Sequence, residues 1–272
     1  LVGDAIGLAD ALGWDTFHLV GHAWGGAVAR QVAGRRPDRL RTLSVVSTPH
    51  PVALAEARAA GPTADGDDQA ARGSYMDTFR ADGAEDLFLA DDRALLKLML
   101  EGSGMDPESA GHCLERATSR KALTGTLNWY RGADPGDADG VGPITTPTLY
   151  VWSTEDIALG RLAAELTADH VTGPYRFEVL EGVSHWVPEA APELIAIVER
   201  AMSRDPAARY STARDLAEDL RRFQSGRLVG AHRYSLRQLV RRWIRRNRTL
   251  LAAAAAAAVV AVVIGVVAIQ RV

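Results

Sequence analysis

The stretch from Phe17 to Gly26 constrains this chain more than any other part of it. Phe17 to Val20 reads as a strand, Gly21, Gly25 and Gly26 frame a sharp turn, and the residues that follow read as a helix. Small flanking residues let the strand and helix backbones approach closely enough for such a turn to be tight and strained. A strand–turn–helix of this kind is a nucleophile elbow, which pushes one side chain into a site. Here the projecting residue is Ala23, and a methyl group cannot attack anything.

Further along, the same alternation recurs. An amphipathic helix is expected over residues 3–13, and a helix over 25–35 ends near Pro37. A buried strand follows from Leu40 to Ser47, and Thr48-Pro49-His50-Pro51 is a breaking loop in which His50 fixes the chain. From about residue 52 to 142 the pattern is helical and poor in strands. Its segments lie near 52–60, 74–81, 85–101, 107–117 and 119–131, with Gly/Asp/Pro-rich stretches at 61–68 and 132–143. A strand returns at Thr148 to Trp152, then a helix at 160–170, a strand at 175–180 and a loop from Glu181 to Trp186. Another helix starts near Pro192. Strands and helices in alternation, interrupted by a helical insert, predict an α/β fold whose parallel sheet carries a cap.

Charge divides the chain differently. The net charge of −3 conceals fifteen arginines against four acids in residues 200–272, so the remainder is strongly acidic. A boundary near residue 200 follows. Cys113 is the single cysteine, so no internal disulfide forms and a reducing compartment is expected. The chain begins at Leu1 without a signal peptide and reads as a fragment or a processed piece. Leu250 to Ile269 contains no charged residue and is long enough to cross a bilayer core. Six arginines fall within Arg237 to Arg248 and only Arg271 follows the span. The positive-inside rule then places residues 1–248 in the cytoplasm. Because the arginine run abuts this apolar span, it is read as juxtamembrane rather than nucleic-acid binding.

Four motifs in order carry a family resemblance: Val20-Gly21-His22-Ala23-Trp24-Gly25-Gly26 and its continuation to Pro51; Asn128-Trp129-Tyr130-Arg131; Tyr150-Val151-Trp152-Ser153 through Asp156; and Gly182 to Trp186. Over residues 1–199 the chain resembles the α/β-hydrolase superfamily, in its epoxide hydrolase-like branch. That branch usually reads H-D-W-G-G at the elbow, with an aspartate where this chain has Ala23. The related haloalkane dehalogenases share the elbow pattern, but a pair of cap tyrosines favours epoxides. The resemblance implies His185 as the base and Asp156 as the acid that orients it. It implies Tyr130 and Tyr75 as donors to the epoxide oxygen, and the Trp24 backbone N–H as half of an oxyanion hole. The substrate or ligand would be a small apolar epoxide, with no metal or organic cofactor. His22 is read as structure, not catalyst. The family's sheet has eight strands and four are legible here, so the amino-terminal half, with its H-G-x-P loop, is expected to be missing.

The tail resembles something else. Asp205-Pro206-Ala207-Ala208-Arg209-Tyr210 through Phe223 is similar to the end of bacterial receptor-type Ser/Thr kinase domains, yet no Gly-rich phosphate loop, H-R-D or D-F-G is present. The two families would join near residues 190–202. The organisation expected is hydrolase core with elbow (1–51), helical cap (52–142), core with the acid and histidine loops (143–199), kinase-like remnant (200–224), basic linker (225–249) and a membrane-spanning helix (250–269). Function is expected to be epoxide hydrolysis impaired at Ala23. The alternatives are a non-catalytic, membrane-tethered ligand-binding module or a fusion remnant without function.

Overall fold

In the computed structural model, which describes residues 1–133, 140–190, 192–201, 203, 205–225 and 227–247, four runs rich in β-branched and aromatic residues pair into one sheet. Its strands are β1 (Phe17–His22), β2 (Leu40–Val46), β3 (Thr148–Glu155) and β4 (Tyr175–Ser184), hydrogen-bonded in that order and all parallel. Parallel neighbours need a crossover between them. Helix α2 (Trp24–Arg35) joins β1 to β2, the cap joins β2 to β3, and α9 (Arg161–Leu166) joins β3 to β4. Helix α1 (Val2–Ala11) precedes β1. Leu43, Val45, Tyr150 and Trp152 of the sheet bury against Ala29, Val32 and Ala33 of α2, Ile6 of α1, Ile144 and Ala164.

The cap comprises α3 (Pro51–Ala60), α4 (Gln69–Arg72), α5 (Tyr75–Arg80), α6 (Ala84–Gly102), α7 (Pro107–Arg116) and α8 (Arg120–Arg131). Its own core is Ala84, Phe88, Leu123 and Leu127, with Phe79, Leu96 and Met99 packed around it. Glu85 is buried there and accepts two hydrogen bonds from Arg131, at 2.7 and 3.0 Å, and one from the Thr124 hydroxyl at 2.8 Å. These donors hold its carboxyl well below the usual range, at about 2. Arg131, the last residue of the Asn128–Arg131 motif, thus clamps α8 onto α6.

Several boundaries differ from the sequence reading. Helix α4 was not expected; the Asp68 side chain starts it by accepting from the N–H groups of Ala70 and Ala71, a cap that needs only one short turn behind it. The helix expected over 85–101 is broken at Ala90–Arg93, where three residues take positive φ. The helix expected over 160–170 ends at Leu166 and tightens into a 3₁₀ turn at Thr167–His170, because the Thr167 hydroxyl donates to Ala163 O and accepts from His50 N. The loop expected from Glu181 is strand as far as Ser184. The Gly182 N–H donates to Thr154 Oγ1, and the ladder resumes at Glu155–Ser184 after a register shift.

The molecule divides into two units, Leu1–Pro192 and Glu193–Val272. In the second, α11 (Pro192–Ala201) leads to α12 (Ala213–Gln224) and α13 (Leu236–Arg246), after the four-residue α10 (Val187–Ala190) of the first unit. Asp219 on α12 accepts from the Tyr210 hydroxyl and from the N–H groups of Gly230 and Ala231. Arg200 lies over the Tyr210 ring at 4.4 Å. The span read as membrane-crossing, residues 250–269, lies outside the described residues. Among those described, no helix is long and apolar enough to cross a membrane.

His50 ties sheet to cap. It is fully buried, its Nδ1 accepts from the Val52 N–H at 3.3 Å to cap α3, and its ring stacks on His170 at 4.8 Å. Burial first, then the charges of Arg30 and His170, push its pKa down to about 3. Between pH 6.5 and 3 the unfolded chain therefore binds a proton that the folded chain refuses. Stability contributed by this residue is complete above pH 6.5 and declines as pH falls, by at most about 1.4 kcal/mol per pH unit. His50→Asn keeps a capping acceptor and removes the titration. Urea unfolding followed by tryptophan fluorescence is expected to show a flatter decline for the variant than for the parent between pH 6.5 and 4.

Candidate active site

Ala23 sits between the last residue of β1 and the first of α2, with φ 50° and ψ −122°. A residue with a Cβ rarely takes this conformation, which costs about 1–3 kcal/mol. The surroundings hold it there. The Ala23 N–H donates to Val46 O at 3.3 Å, and its carbonyl accepts from Ala27 N at 3.0 Å and from the Thr48 hydroxyl at 2.6 Å. The turn closes because two neighbours lack side chains. A Cβ on Gly21 would lie 2.3 Å from Gly25 O, and one on Gly26 would lie 2.8 Å from Thr48 Oγ1. Gly25 has open space around its Cα.

On the β1 side of Ala23, His22 is half-buried and its Nε2 hydrogen-bonds His185 O at 2.8 Å. The two imidazole rings are 5.0 Å apart. With His22 Nε2 donating to a carbonyl, its proton sits on that nitrogen. Burial pulls the His22 pKa down, against the pull of that backbone hydrogen bond. The Ser47 hydroxyl donates to the same carbonyl at 3.2 Å, from a buried serine at φ 68°. Two side chains from the ends of β1 and β2 therefore fix the backbone of His185.

The His185 ring is oriented by Asp156. Its Nδ1 lies 2.8 Å from Asp156 Oδ2, while Asp156 Oδ1 accepts from the N–H groups of Ala158 and Leu159 at 2.9 and 3.0 Å. Asp156 is 1% exposed, so the pair is shielded from water and its attraction is strong for its distance. An imidazole bound through Nδ1 to a buried carboxylate is held in one tautomer, with Nε2 left as the basic atom. No local pattern signals what braces the Asp156 loop. Arg72 donates to Asp156 O at 2.7 Å and pairs with Asp67 at 2.5 Å. Gln69 donates to Ala158 O and accepts from Gly160 N at 2.9 and 2.8 Å. These three cap residues lie far from Asp156 in the chain and follow no spacing rule.

On the α2 side, the Trp24 ring meets Tyr130 edge-on at 5.2 Å. Tyr130 in turn packs edge-on against Tyr75 at 6.1 Å and Phe79 at 4.6 Å. Burial raises the pKa of both tyrosines. Tyr130's rise is opposed by a hydrogen bond with the Trp24 side chain, while Tyr75's is increased by Tyr130 and Asp156. Both hydroxyls stay protonated at neutral pH and remain donors. Trp24 opens α2, so its N–H has no carbonyl from a preceding turn. The structure thus gathers all six residues singled out in the sequence around one turn: Ala23, Trp24, Tyr75, Tyr130, Asp156 and His185. Among the described residues no cluster of three or more His, Cys, Asp or Glu could hold a metal. Cys113 is exposed on α7, apart from these residues in sequence, and burial of its sulfur pushes its pKa up, away from reactivity.

Comparison with known proteins identifies the fold family. The family model described as "alpha/beta hydrolase fold" matches residues 5–192. Epoxide hydrolase 4 of Mus musculus is 27% identical over 205 residues, which are 72% of this chain and 56% of that protein. Epoxide hydrolase A of Mycobacterium tuberculosis is 28% identical over 229 residues, 71% of this chain and 70% of the relative. The chain spans about half the length of the first of these relatives, 56%. Among solved structures, an epoxide hydrolase from hot-environment metagenomes superimposes with a TM-score of 0.59 at 26% identity, covering 75% of this chain and 74% of the other.

The glycines of the turn give a stability test with opposite signs. Gly21→Ala is expected to lower stability by about 3 kcal/mol or more, because backbone must move to admit the methyl group. Gly25→Ala meets nothing and gains helix propensity, so it is expected to be neutral or stabilising by up to about 1 kcal/mol. Thermal unfolding of the two variants beside the parent measures both.

Proposed function

The chain belongs to the α/β-hydrolase family, and on that premise we propose a site built to open epoxides, with the first chemical step removed at Ala23. The observation that carries this reading is convergence. An oriented His185–Asp156 pair and two protonated tyrosines meet at a strained turn whose central residue is the one expected to attack. Opening an epoxide takes a carboxylate oxygen attacking ring carbon while the carbon–oxygen bond breaks and a tyrosine O–H protonates the departing oxygen. The product is an ester on the protein. His185 Nε2 then takes a proton from water, the water oxygen adds to the ester carbonyl, and the Trp24 N–H steadies the oxyanion. Collapse breaks the bond between the carbonyl carbon and the substrate oxygen, that oxygen takes the proton held by His185 and the diol leaves, and the carboxylic acid so formed returns its proton to the tyrosinate. The base, the acid that orients it, the tyrosine donors and one oxyanion N–H each have a residue here, and the attacking carboxylate does not.

A second reading rests on Ala23 itself. A site with two hydroxyl donors and no nucleophile is suited to hold a small apolar epoxide-like molecule without consuming it. For the remainder of the chain, we propose that residues 250–269 anchor it in a membrane with residues 1–248 on the cytoplasmic side, supported by the uncharged span and the arginines before it. The tail from Ala201 to Phe223 is read as a non-catalytic kinase-type remnant.

Hydrolysis of a simple aryl epoxide by the parent and by Ala23→Asp is the direct test. Loss of a nucleophile from such a unit costs about a million-fold in turnover, so the variant is expected to exceed the parent by at least about a thousand-fold. Parent turnover equal to the variant's overturns the role given to Ala23. Absence of turnover in both, with saturable binding of the epoxide, favours the binding reading. In an Ala23→Asp, His185→Ala double variant, the ester is expected to form and persist. Mass spectrometry would then find the protein heavier by one substrate molecule, and release of diol at the single variant's rate would remove His185 from the role of base.

A further inference from the structure

Helix α13, Leu236–Arg246, carries an exposed apolar face. Its start is well defined: Ser235 accepts from Gln238 N at 3.2 Å and Gln238 Oε1 accepts from Ser235 N at 2.7 Å, a capping box. Its sequence, Leu-Arg-Gln-Leu-Val-Arg-Arg-Trp-Ile-Arg-Arg, separates cleanly on a helix. At 100° per residue, Leu236, Leu239, Val240, Trp243 and Ile244 fall within an arc of about 140°. The five arginines and Gln238 fill the remainder, with Arg237 and Arg246 at the two borders. The apolar arc faces solvent: Leu236 is 82% exposed, Val240 55%, Trp243 57% and Ile244 47%.

We propose that α13 lies flat on an anionic lipid surface, its apolar arc in the acyl boundary and its arginines among the headgroups. Two features commit it to that occupant. Isolated exposed leucines are ordinary, but a contiguous stripe bearing a tryptophan and bordered by arginines is the pattern of an interfacial helix, seated about 5–10 Å into the headgroup region. The second feature is charge. No residue from Leu220 to Val272 is acidic, while eleven are arginine. A second copy of this segment would therefore set like charge against like, and a nucleic acid would leave the Leu236–Ile244 stripe in water. An anionic membrane satisfies both faces. This inference stands on α13 alone and is independent of the reading of the hydrolase site.

The test uses the full chain with Cys113→Ser, so that a single introduced cysteine can carry an environment-sensitive fluorophore, at Val240 on the apolar arc or at Gln238 on the polar one. Each labelled protein is mixed with vesicles of phosphatidylcholine alone or of phosphatidylcholine with phosphatidylserine. The Val240 label is expected to shift to shorter wavelength on the anionic vesicles only, while the Gln238 label stays aqueous. A second set carrying Arg241→Gln, Arg242→Gln and Arg245→Gln is expected to lose the shift, since each arginine removed weakens surface attraction about fivefold. The label reports α13 whether or not residues 250–269 enter the bilayer. Equal shifts at both positions, equal shifts on both lipids, or no shift at all overturn the proposal. A concentration-dependent shift without vesicles overturns it in favour of self-association.

Discussion

The site depends on one steric permission: the absence of Cβ atoms at Gly21 and Gly26. Without it the end of β1 could not pass so close to the first turn of α2, and Ala23 could not be held at positive φ. That conformation is unfavourable by itself, and it survives because the Val46 and Thr48 contacts and the first helical bond of α2 all act on the same residue. The turn then separates two neighbours by direction. His22 points toward the His185–Asp156 pair and Trp24 toward Tyr130 and Tyr75. The His185–Asp156 pair and the two tyrosines are thus brought to opposite sides of one residue.

Holding the other side chains is the work of the cap as much as of the sheet. Asp156 follows β3, but its loop is fastened by Arg72, Gln69 and Asp67 from around α4. Tyr130 is kept in place through Arg131, whose ion pair with buried Glu85 locks α8 to α6. The Glu85 carboxylate is buried and Arg131 partly exposed, so removing Arg131 leaves that carboxylate without its main partner. His50 adds the covalent neighbour's view of the same dependence, since it caps α3 at the point where the chain leaves β2 for the cap. Cap and core therefore form one unit, and the geometry of the acid–base pair is a property of their contact.

That an intact turn should persist around Ala23 is informative about what the turn does. The close approach at Gly21 and the Thr48 contact to the Ala23 carbonyl are made to backbone, so neither depends on the side chain at position 23. Strain and chemistry are separable here. The turn presents whatever residue occupies position 23.

How much was legible in advance follows from the range of each interaction. The strand, turn and helix at 17–35, the parallel α/β order and the helical cap are written in local periodicity and glycine placement, and the structure has them. The motifs also named His185, Asp156, Tyr130 and Tyr75; the first two are hydrogen-bonded to each other and the last two pack edge-on. Strand β4 was cut short because a glycine in a strand looks like a stop; only the Thr154 contact and the ladder to Glu155 reveal that pairing continues. Helix α4 was missed because its signal is a single capping aspartate. What the sequence by itself determined was the fold class, the elbow and the identity of the residue at its tip, since these rest on neighbours in the chain. What only tertiary structure decided was the bracing of the site, by His22 and Ser47 on the His185 carbonyl and by Arg72 and Gln69 on the Asp156 loop. Those contacts join residues 80 to 160 positions apart in the chain, roughly, and no local pattern can encode a hydrogen bond that exists only once sheet and cap have packed.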